Sequence, residues 1–175
     1  MKIGIFSDTH TKVDLAAAII NLFEKSGVAF IIHSGDIGEV AVLDLLKKSN
    51  IRYVAVYGNN DAHLAYYHKN YNLVQEPYYF SVAKTKFKLM HLPYYVTPDS
   101  EVVVYGHTHI FEAEKKGNTL YINPGEACAR NKPISSCAIL EVTNDEFRLT
   151  RYTRGKKERR FHHETLSFTR SFHAR

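Results

Sequence analysis

Carboxylate, amide and imidazole side chains occur in four short motifs, each of which directly follows a run of apolar residues. The motifs are Asp8-Thr9-His10, Gly35-Asp36, Gly58-Asn59-Asn60-Asp61 and Gly106-His107-Thr108-His109. Oxygen and nitrogen donors of these types are the ligands of catalytic metal sites. One such motif alone is better explained by helix capping, because Asp and Asn are preferred N-cap residues. Four of them in one chain of 175 residues predict a dinuclear metal centre.

The apolar runs before the motifs have the composition and length of buried strands. The strands predicted in this way cover residues 2–7, 28–32, 53–57 and 101–105. Helical spacing of apolar residues over 13–25 and 39–49 separates the first three strands, and this βαβαβ order predicts a parallel sheet. The carboxyl ends of parallel strands meet at one edge of a sheet, so we expect the motifs to converge there.

The second half of the chain is predicted to be rich in strands and to lack a long helix. Strands are predicted over 78–83 and 87–91, and hairpins over 111–122 and 136–152, with a short helix over 61–69 before them. His91 ends one of these strands, as the motif residues end theirs, so it is a further candidate ligand. The simplest arrangement is one domain with two sheets, formed by residues 1–154.

The excess of positive charge is concentrated at the end of the chain. The net charge is +5, of which residues 155–175 contribute +4 through six Lys or Arg and two Glu. We interpret this stretch as a basic, partly disordered tail, with an amphipathic segment that docks on the body as the alternative. The remaining body is nearly neutral, which gives little support to a nucleic-acid groove but leaves nucleic acid open as a partner.

The cysteines and the apolar runs bear on the location of the protein. Cys128 and Cys137 lack the spacing of a zinc or redox motif and are predicted to be free thiols. No apolar run is long enough to span a bilayer, and the first residues lack the pattern of a signal peptide. We therefore expect a cytoplasmic protein with no membrane partner.

The order of the motifs resembles that of the calcineurin-like metallophosphoesterases, in particular their small single-domain bacterial and archaeal phosphodiesterases. The shared pattern is D-x-H, G-D, G-N-x-D, a histidine at a strand end (His91) and G-H-x-H, and it extends over residues 1–152. The resemblance implies an α/β (α+β) fold, a four-layer α-β-β-α sandwich of two mixed β-sheets flanked by helices. It also implies a hydrolase that acts on ester bonds.

The resemblance further implies two metal subsites that share one carboxylate. The ligands of the first subsite are Asp8, His10, Asp36 and His109, and those of the second are Asp36, Asn59, His91 and His107. Both subsites take divalent cations, for which manganese is favoured and iron, nickel or zinc are the alternatives. A hydroxide held between the two cations then attacks the phosphorus atom of a phosphodiester.

Asn60 departs from the family pattern, because many members have a histidine at this position. That histidine assists departure of the leaving group, whereas an amide cannot act as a general acid near neutral pH. We assign Asn60 a catalytic role as a hydrogen-bond donor to a phosphoryl oxygen. The expected substrate is a small phosphodiester or phosphate ester. The alternatives are a scaffold or protein-interaction module on the same fold and a nuclease of the same superfamily, and a homo-oligomer is left open.

Other polar residues near the motifs are expected to support the site or to face solvent. Asp61 is interpreted as a helix cap or as an anchor for the ligands, and His33 as a core or supporting residue. His63 and His68 are expected on an exposed helix, with a position lining the site as the alternative for His63.

Overall fold

The computed structural model of this protein describes residues 1–170, so that residues 171–175, the end of the predicted tail, lie outside the described residues. The strands are β1 (Lys2–Phe6), β2 (Phe30–His33), β3 (Arg52–Val56), β4 (Leu73–Val74), β5 (Tyr78–Val82), β6 (Thr85–Leu89), β7 (Val102–Val104), β8 (Phe111–Lys116), β9 (Thr119–Pro124), β10 (Ile134–Val142), β11 (Glu146–Gly155) and β12 (His162–Thr169). The α-helices are α1 (Val13–Lys25) and α2 (Val40–Lys48), and short 3-10 helices form at Ala62–Asn70 and Pro93–Tyr95.

The strands form two mixed sheets. The seven-stranded sheet has the order β12-β11-β10-β1-β2-β3-β4, and the five-stranded sheet has the order β5-β6-β7-β9-β8. Strands β1 to β4 run parallel in the first sheet, as do β6, β7 and β9 in the second. Each sheet therefore places the carboxyl ends of several strands at one edge, where ligands bind in open α/β sheets.

Within residues 1–170, three apolar groups hold the sheets and helices together. The largest is the layer between the sheets, which contains Ile5 and Val56 from the first sheet and Leu89 and Val104 from the second. A second layer packs α1 and α2 onto the outer face of the first sheet. The outer face of the second sheet carries Met90, Val103 and Tyr105, with Val96 from the segment that follows the Pro93–Tyr95 turn packed against them. The predicted pair of mixed sheets flanked by helices is confirmed, although within the described part of the chain the helical layer over the second sheet is reduced to the Pro93–Tyr95 turn.

The predicted helices are also found, with one change of type. The segment expected as a helix over 61–69 is a 3-10 helix, Ala62–Asn70, with one buried residue, Leu64. Within residues 1–170, none of the helices combines the length and apolar character that a bilayer crossing requires.

The interpretation of the last residues as a disordered tail is wrong for β12. This strand pairs antiparallel with β11 along its whole length, which places Leu166 opposite Leu149 and Phe168 opposite Phe147. Leu166 and Phe168 alternate with polar residues, the period that half-buried strands require, and Phe168 packs against the layer between the sheets. The alternation covers only two apolar positions among many charged and polar ones, so the sequence prediction did not identify it.

Candidate metal centre

All seven predicted metal ligands follow the carboxyl ends of parallel strands, and the structure brings them together. They follow β1, β2 and β3 in the first sheet and β6 and β7 in the second. Asp8, Asp36 and His91 are buried and form the floor of the site. The three remaining histidines are partly buried, whereas Asn59 and Asn60 are exposed at the mouth. The site is thus closed below and open to solvent on one side.

Five of the candidate ligands adopt backbone angles that side chains normally avoid. The φ angles are +54° at Asp8, +47° at His10, +52° at Asp36, +68° at His107 and +63° at His109. In this left-handed region Cβ crowds the following carbonyl oxygen, at a cost of about 1–2 kcal/mol per residue. Backbone hydrogen bonds between neighbouring loops hold the strained turns, from Asp8 N to Gly35 O (3.0 Å) and from His10 N to Asp36 O (2.9 Å). Strain of this kind concentrates at functional sites, where it aims side chains at a common point.

Asp36 lies among the candidate ligands, with one carboxylate oxygen near a histidine of each predicted subsite. Its Oδ2 is 3.8 Å from His10 Nε2, and its Oδ1 is 3.5 Å from His91 Nε2. Asn60 donates to it twice, from the backbone N to Oδ1 (3.0 Å) and from Nδ2 to Oδ2 (2.7 Å). Burial acts to raise the pKa of Asp36, but His91 and the Asn60 hydrogen bonds outweigh it and hold this pKa below its ordinary value.

His91 and His109 are each oriented by an acceptor on the ring nitrogen that faces away from the site. His91 Nδ1 donates to Ser34 O (2.9 Å), and His109 Nδ1 donates to Glu126 Oε2 (2.6 Å). In the neutral rings, Nε2 therefore carries the lone pair. Metal-binding histidines show this arrangement, in which a carbonyl or carboxylate fixes the tautomer of the ligand.

Asn59 connects the two histidines of the second predicted subsite. Its Oδ1 lies 2.9 Å from His91 Nε2 and 3.0 Å from His107 Nδ1. Because His91 Nδ1 donates to Ser34, the neutral ring turns its Nε2 lone pair toward the Asn59 amide. Two imidazole nitrogens and one amide group thus converge on one point, and these are donor types that a divalent cation takes.

Asp8 provides the most direct test of whether a cation fits. Its Oδ1 is buried and accepts no hydrogen bond from residues 1–170, although it lies 3.4 Å from His109 Nε2. Its Oδ2 accepts from the backbone N of His107 (3.2 Å). Burial raises the pKa of the Asp8 carboxyl above its ordinary value. A buried carboxylate oxygen without a donor is costly unless a cation compensates it, so the donor set fits a divalent metal.

Among residues 1–170, two clusters of donor atoms are compact enough to hold an ion. One consists of Asp8, Asp36 and His91, and the other of His10, His109 and Cys128, with the donor atoms of each cluster within 4.8 Å of one another. Cys128 was not a predicted ligand. Burial, together with Glu126 nearby, raises the pKa of the Cys128 thiol to about 12, so that it is protonated at neutral pH. Both cysteines are free, as expected.

Glu126 is the functional residue that the sequence prediction missed. It is 2% exposed, and besides His109 it accepts hydrogen bonds from the backbone N of Asn131 (2.8 Å) and Lys132 (2.7 Å). It directly follows Asn123-Pro124-Gly125, a turn that ends β9 as other turns end the ligand-bearing strands. Its position after a strand was the signal that could have identified it.

Asp61 and His33 contact the loops that carry the candidate ligands, and the alternative of Asp61 as a side-chain helix cap is wrong, because its carboxylate caps no N–H of the helix it precedes. Asp61 accepts from the backbone N of Ile37 (2.9 Å), Gly38 (2.8 Å) and Gly58 (2.8 Å), which ties together the loops after β2 and β3. His33 is fully buried and contacts Thr9 Oγ1 through Nε2 (3.0 Å).

The two histidines of the 3-10 helix Ala62–Asn70 are exposed, as expected. His68 Nδ1 lies 2.9 Å from Ala65 O, whereas His63 Nε2 reaches across to Gly38 O (2.9 Å).

Close backbone approach explains two of the motif glycines. A Cβ on Gly58 would lie 2.1 Å from Asp36 N and 2.2 Å from Asp36 Oδ1, and a Cβ on Gly35 would lie 2.5 Å from His91 Nδ1. Both contacts are far inside van der Waals distance, so only glycine allows Asp36 and His91 to take these positions.

Comparison with known proteins agrees with this geometry. The family model of the calcineurin-like phosphoesterase superfamily domain matches residues 1–145. A curated phosphodiesterase of Methanocaldococcus jannaschii is 31% identical over 161 residues, which cover 85% of this chain and 97% of that protein. A solved archaeal phosphodiesterase superposes with a TM-score of 0.74 at 28% identity, covering 95% of this chain and all (100%) of that one.

A further structural neighbour shares the fold at low sequence identity. Vps29 of Chaetomium thermophilum superposes with a TM-score of 0.79 at 15% identity over 98% of each chain, which shows the fold alone. The family model and the Methanocaldococcus relative span most of the chain and confirm the resemblance carried by the motifs. This chain therefore belongs to the calcineurin-like phosphoesterase superfamily.

Proposed function

We propose that this protein is a metal-dependent phosphoesterase, and more narrowly a phosphodiesterase that uses two divalent cations. The observation that carries the proposal is the convergence of carboxylate, amide and imidazole donors around Asp36, with the partnerless buried Asp8 Oδ1 beside them. Each of the seven predicted ligand positions carries a side-chain oxygen or nitrogen atom that can bind a metal ion. The curated Methanocaldococcus relative is named a phosphodiesterase, which supports the same reaction class for this chain.

The ligands divide between two subsites that share Asp36. We assign Asp8, His10, Asp36 and His109 to the first subsite, and Asp36, Asn59, His91 and His107 to the second. The two oxygens of the central carboxylate support this bridging role, because each faces a histidine of a different subsite. When bound, two divalent cations neutralise charge on the phosphoryl oxygens and lower the pKa of water.

The residues around the ligands fix the geometry that the reaction needs. Glu126 and Ser34 hold the His109 and His91 rings with Nε2 toward the site. Asn60 orients Asp36 through its Nδ2, and the second hydrogen of that amide is available to a phosphoryl oxygen at the exposed mouth. The amide donates a hydrogen bond but no proton, so we expect esters with good leaving groups to be the better substrates.

The experiment that tests the proposal is hydrolysis of bis(p-nitrophenyl) phosphate with and without added manganese. Wild type is expected to need the metal, and Asp36→Ala and His107→Ala are expected to lose at least about 100-fold in kcat/KM. His68→Ala is the matched control, because this exposed histidine bonds the Ala65 carbonyl of its own 3-10 helix and is not among the candidate ligands. Equal, metal-independent rates in all four proteins would contradict the proposal.

Manganese and a cytoplasmic location complete the proposal. The mixed oxygen and nitrogen donors suit manganese, iron, nickel and zinc without choosing among them, and manganese is preferred on the family resemblance alone. The two free thiols support a reducing compartment. Metal analysis of the protein purified from its native cells is the corresponding measurement.

A protein-interaction role on the same fold is supported by one observation. Tyr94 and Tyr95 are each 69% exposed on the short 3-10 turn that follows His91. Adjacent exposed aromatic rings are typical of interaction surfaces. This alternative predicts a complex that is lost in the Tyr94→Ala/Tyr95→Ala variant, together with no metal-dependent hydrolysis in wild type.

A further inference from the structure

A cavity of about 770 Å³ lies directly beside the metal centre and shares His10 with it. Its walls come from three separate parts of the chain: the first turn of α1, the loop after β9 and the loop between β11 and β12. Because His10 lines both the cavity and the centre, a substrate whose phosphorus atom sits at the centre can extend into the cavity. A volume of this size lies within the range for small-molecule sites, about 300–1,000 Å³.

The cavity carries an excess of positive charge. Lys12, Arg130 and Lys156 line it, and Asp14 is the one carboxylate among the lining residues. Within residues 1–170, none of these three cations forms an ion pair with a carboxylate at 4.0 Å or less.

The first turn of α1 adds to the attraction for an anion. The helix has 13 residues, and no side chain caps the N–H groups of its first turn. Unpaired N–H groups at a helix N-terminus and the helix dipole both favour negative charge. Leu15 from the same turn and Ala129 beside Arg130 add apolar surface to the lining. The cavity therefore offers cationic groups together with some apolar surface to a phosphate-bearing group.

We propose that this cavity binds the part of the substrate that remains after the leaving group departs, and that this part carries a second phosphate held by Arg130 and Lys156. The inference rests on the proposed phosphodiesterase function and narrows it to phosphodiesters of nucleotide size with an additional phosphate. Arg130 is suited to this contact because its planar guanidinium binds phosphate through two parallel hydrogen bonds.

Arg130 and Lys156 come from distant parts of the sequence, and the fold brings them together. Arg130 follows β9, whereas Lys156 lies in the loop that connects β11 to β12 and donates its backbone N to Pro133 O (3.2 Å). The basic residues of the chain end thus include one that lines the cavity beside the metal centre. On this view part of the positive charge after residue 155 serves substrate selection.

The test compares binding of two nucleotides by isothermal titration calorimetry with the manganese-loaded protein. Thymidine 3′,5′-bisphosphate carries the additional phosphate, and thymidine 5′-monophosphate lacks it. Wild type is expected to bind the bisphosphate at least about tenfold more tightly than the monophosphate. One charge-assisted hydrogen bond contributes about this much affinity. R130Q/K156Q is expected to reduce this preference to about twofold or less, and K156Q alone to an intermediate value.

The matched control is K157Q, which removes the neighbouring exposed lysine of the same loop, a residue that does not line the cavity. The K157Q variant is expected to keep the full preference for the bisphosphate over the monophosphate. Equal affinity of wild type for the two nucleotides, or a preference that survives in R130Q/K156Q, would overturn the inference.

A kinetic experiment separates this inference from the proposed function. Thymidine 5′-(p-nitrophenyl phosphate) with and without a 3′-phosphate should show the same preference in kcat/KM. If neither ester is hydrolysed, the phosphodiesterase proposal fails, while the binding experiment still decides whether the cavity recognises a second phosphate. If both esters are hydrolysed at equal rates, the phosphodiesterase proposal stands and the cavity inference fails.

Discussion

His109 Nδ1 lies 2.6 Å from Glu126 Oε2, so that a carboxylate after β9 orients a candidate ligand after β7. We predict that Glu126→Gln weakens manganese binding about 10- to 100-fold, because the neutral amide no longer holds the His109 ring and its tautomer as firmly. The dissociation constant from a metal titration is the measurement. Glu112→Gln is the matched control, since this carboxylate contacts the Tyr105 hydroxyl on the outer face of the second sheet. An unchanged manganese affinity in Glu126→Gln would show that the contact does not support the site.

Asn60 stands where a histidine would provide a general acid. We predict that Asn60→His raises kcat for phosphodiesters with poor leaving groups by about tenfold or more, because an imidazolium can protonate the departing oxygen. Esters of p-nitrophenol, which leave without protonation, should change little. The comparison of methyl p-nitrophenyl phosphate with dimethyl phosphate or a dinucleoside phosphate measures this selectivity. An equal change for both kinds of ester would contradict the assigned role of this position.

Gly58 lies against Asp36 so closely that no side chain fits. We predict that Gly58→Ala displaces the Asp36 loop, lowers the free energy of unfolding by about 1–3 kcal/mol and weakens metal binding. The reason is the distance of 2.2 Å between a Cβ at this position and Asp36 Oδ1. Urea unfolding and a metal titration measure the two effects.

Gly117→Ala provides the control for that substitution. Gly117 has a φ of +57°, and nothing lies within 4 Å of an added Cβ. The strained backbone is therefore expected to cost stability, about 1 kcal/mol, without any change in metal affinity. If Gly117→Ala lost as much metal affinity as Gly58→Ala, the loss would reflect general destabilisation. That result would contradict a specific displacement of Asp36 in Gly58→Ala.

His33 makes the stability of the protein depend on pH. Burial lowers its pKa from 6.5 to about 3, so below pH 6.5 the unfolded chain binds a proton that the folded protein excludes. The stability that results is fully present above pH 6.5 and is lost as the pH falls toward 3. We predict that the free energy of unfolding falls between pH 7 and pH 5 by about 2 kcal/mol more in wild type than in His33→Gln. Urea unfolding at the two pH values checks this, and equal losses in the two proteins would contradict it.

The ligands at strand ends could be predicted because their signal is local. An apolar run followed by Asp8, Asp36 or His107 identifies both the strand and the residue at its end. The left-handed backbone at the same residues could not be predicted, since side chains of this type seldom adopt it and only the packed loops enforce it.

Features that depend on distant contacts were missed. Glu126 supports His109 only because β7 and β9 are neighbours in the second sheet, which no short motif shows. The pairing of β12 depends on a partner strand, β11, and its two apolar residues are surrounded by charged and polar ones. Arg130 and Lys156 likewise meet at one cavity through the arrangement of β9, β11 and β12.

Anomalous scattering from a manganese-loaded crystal decides whether Asp36 bridges two metal ions. We expect two peaks about 3.5–4 Å apart, one on each side of the Asp36 carboxylate. Asp36→Ala should remove at least one of them under the same conditions. One peak in the wild-type protein, or none, at saturating manganese would contradict a two-metal centre bridged by Asp36.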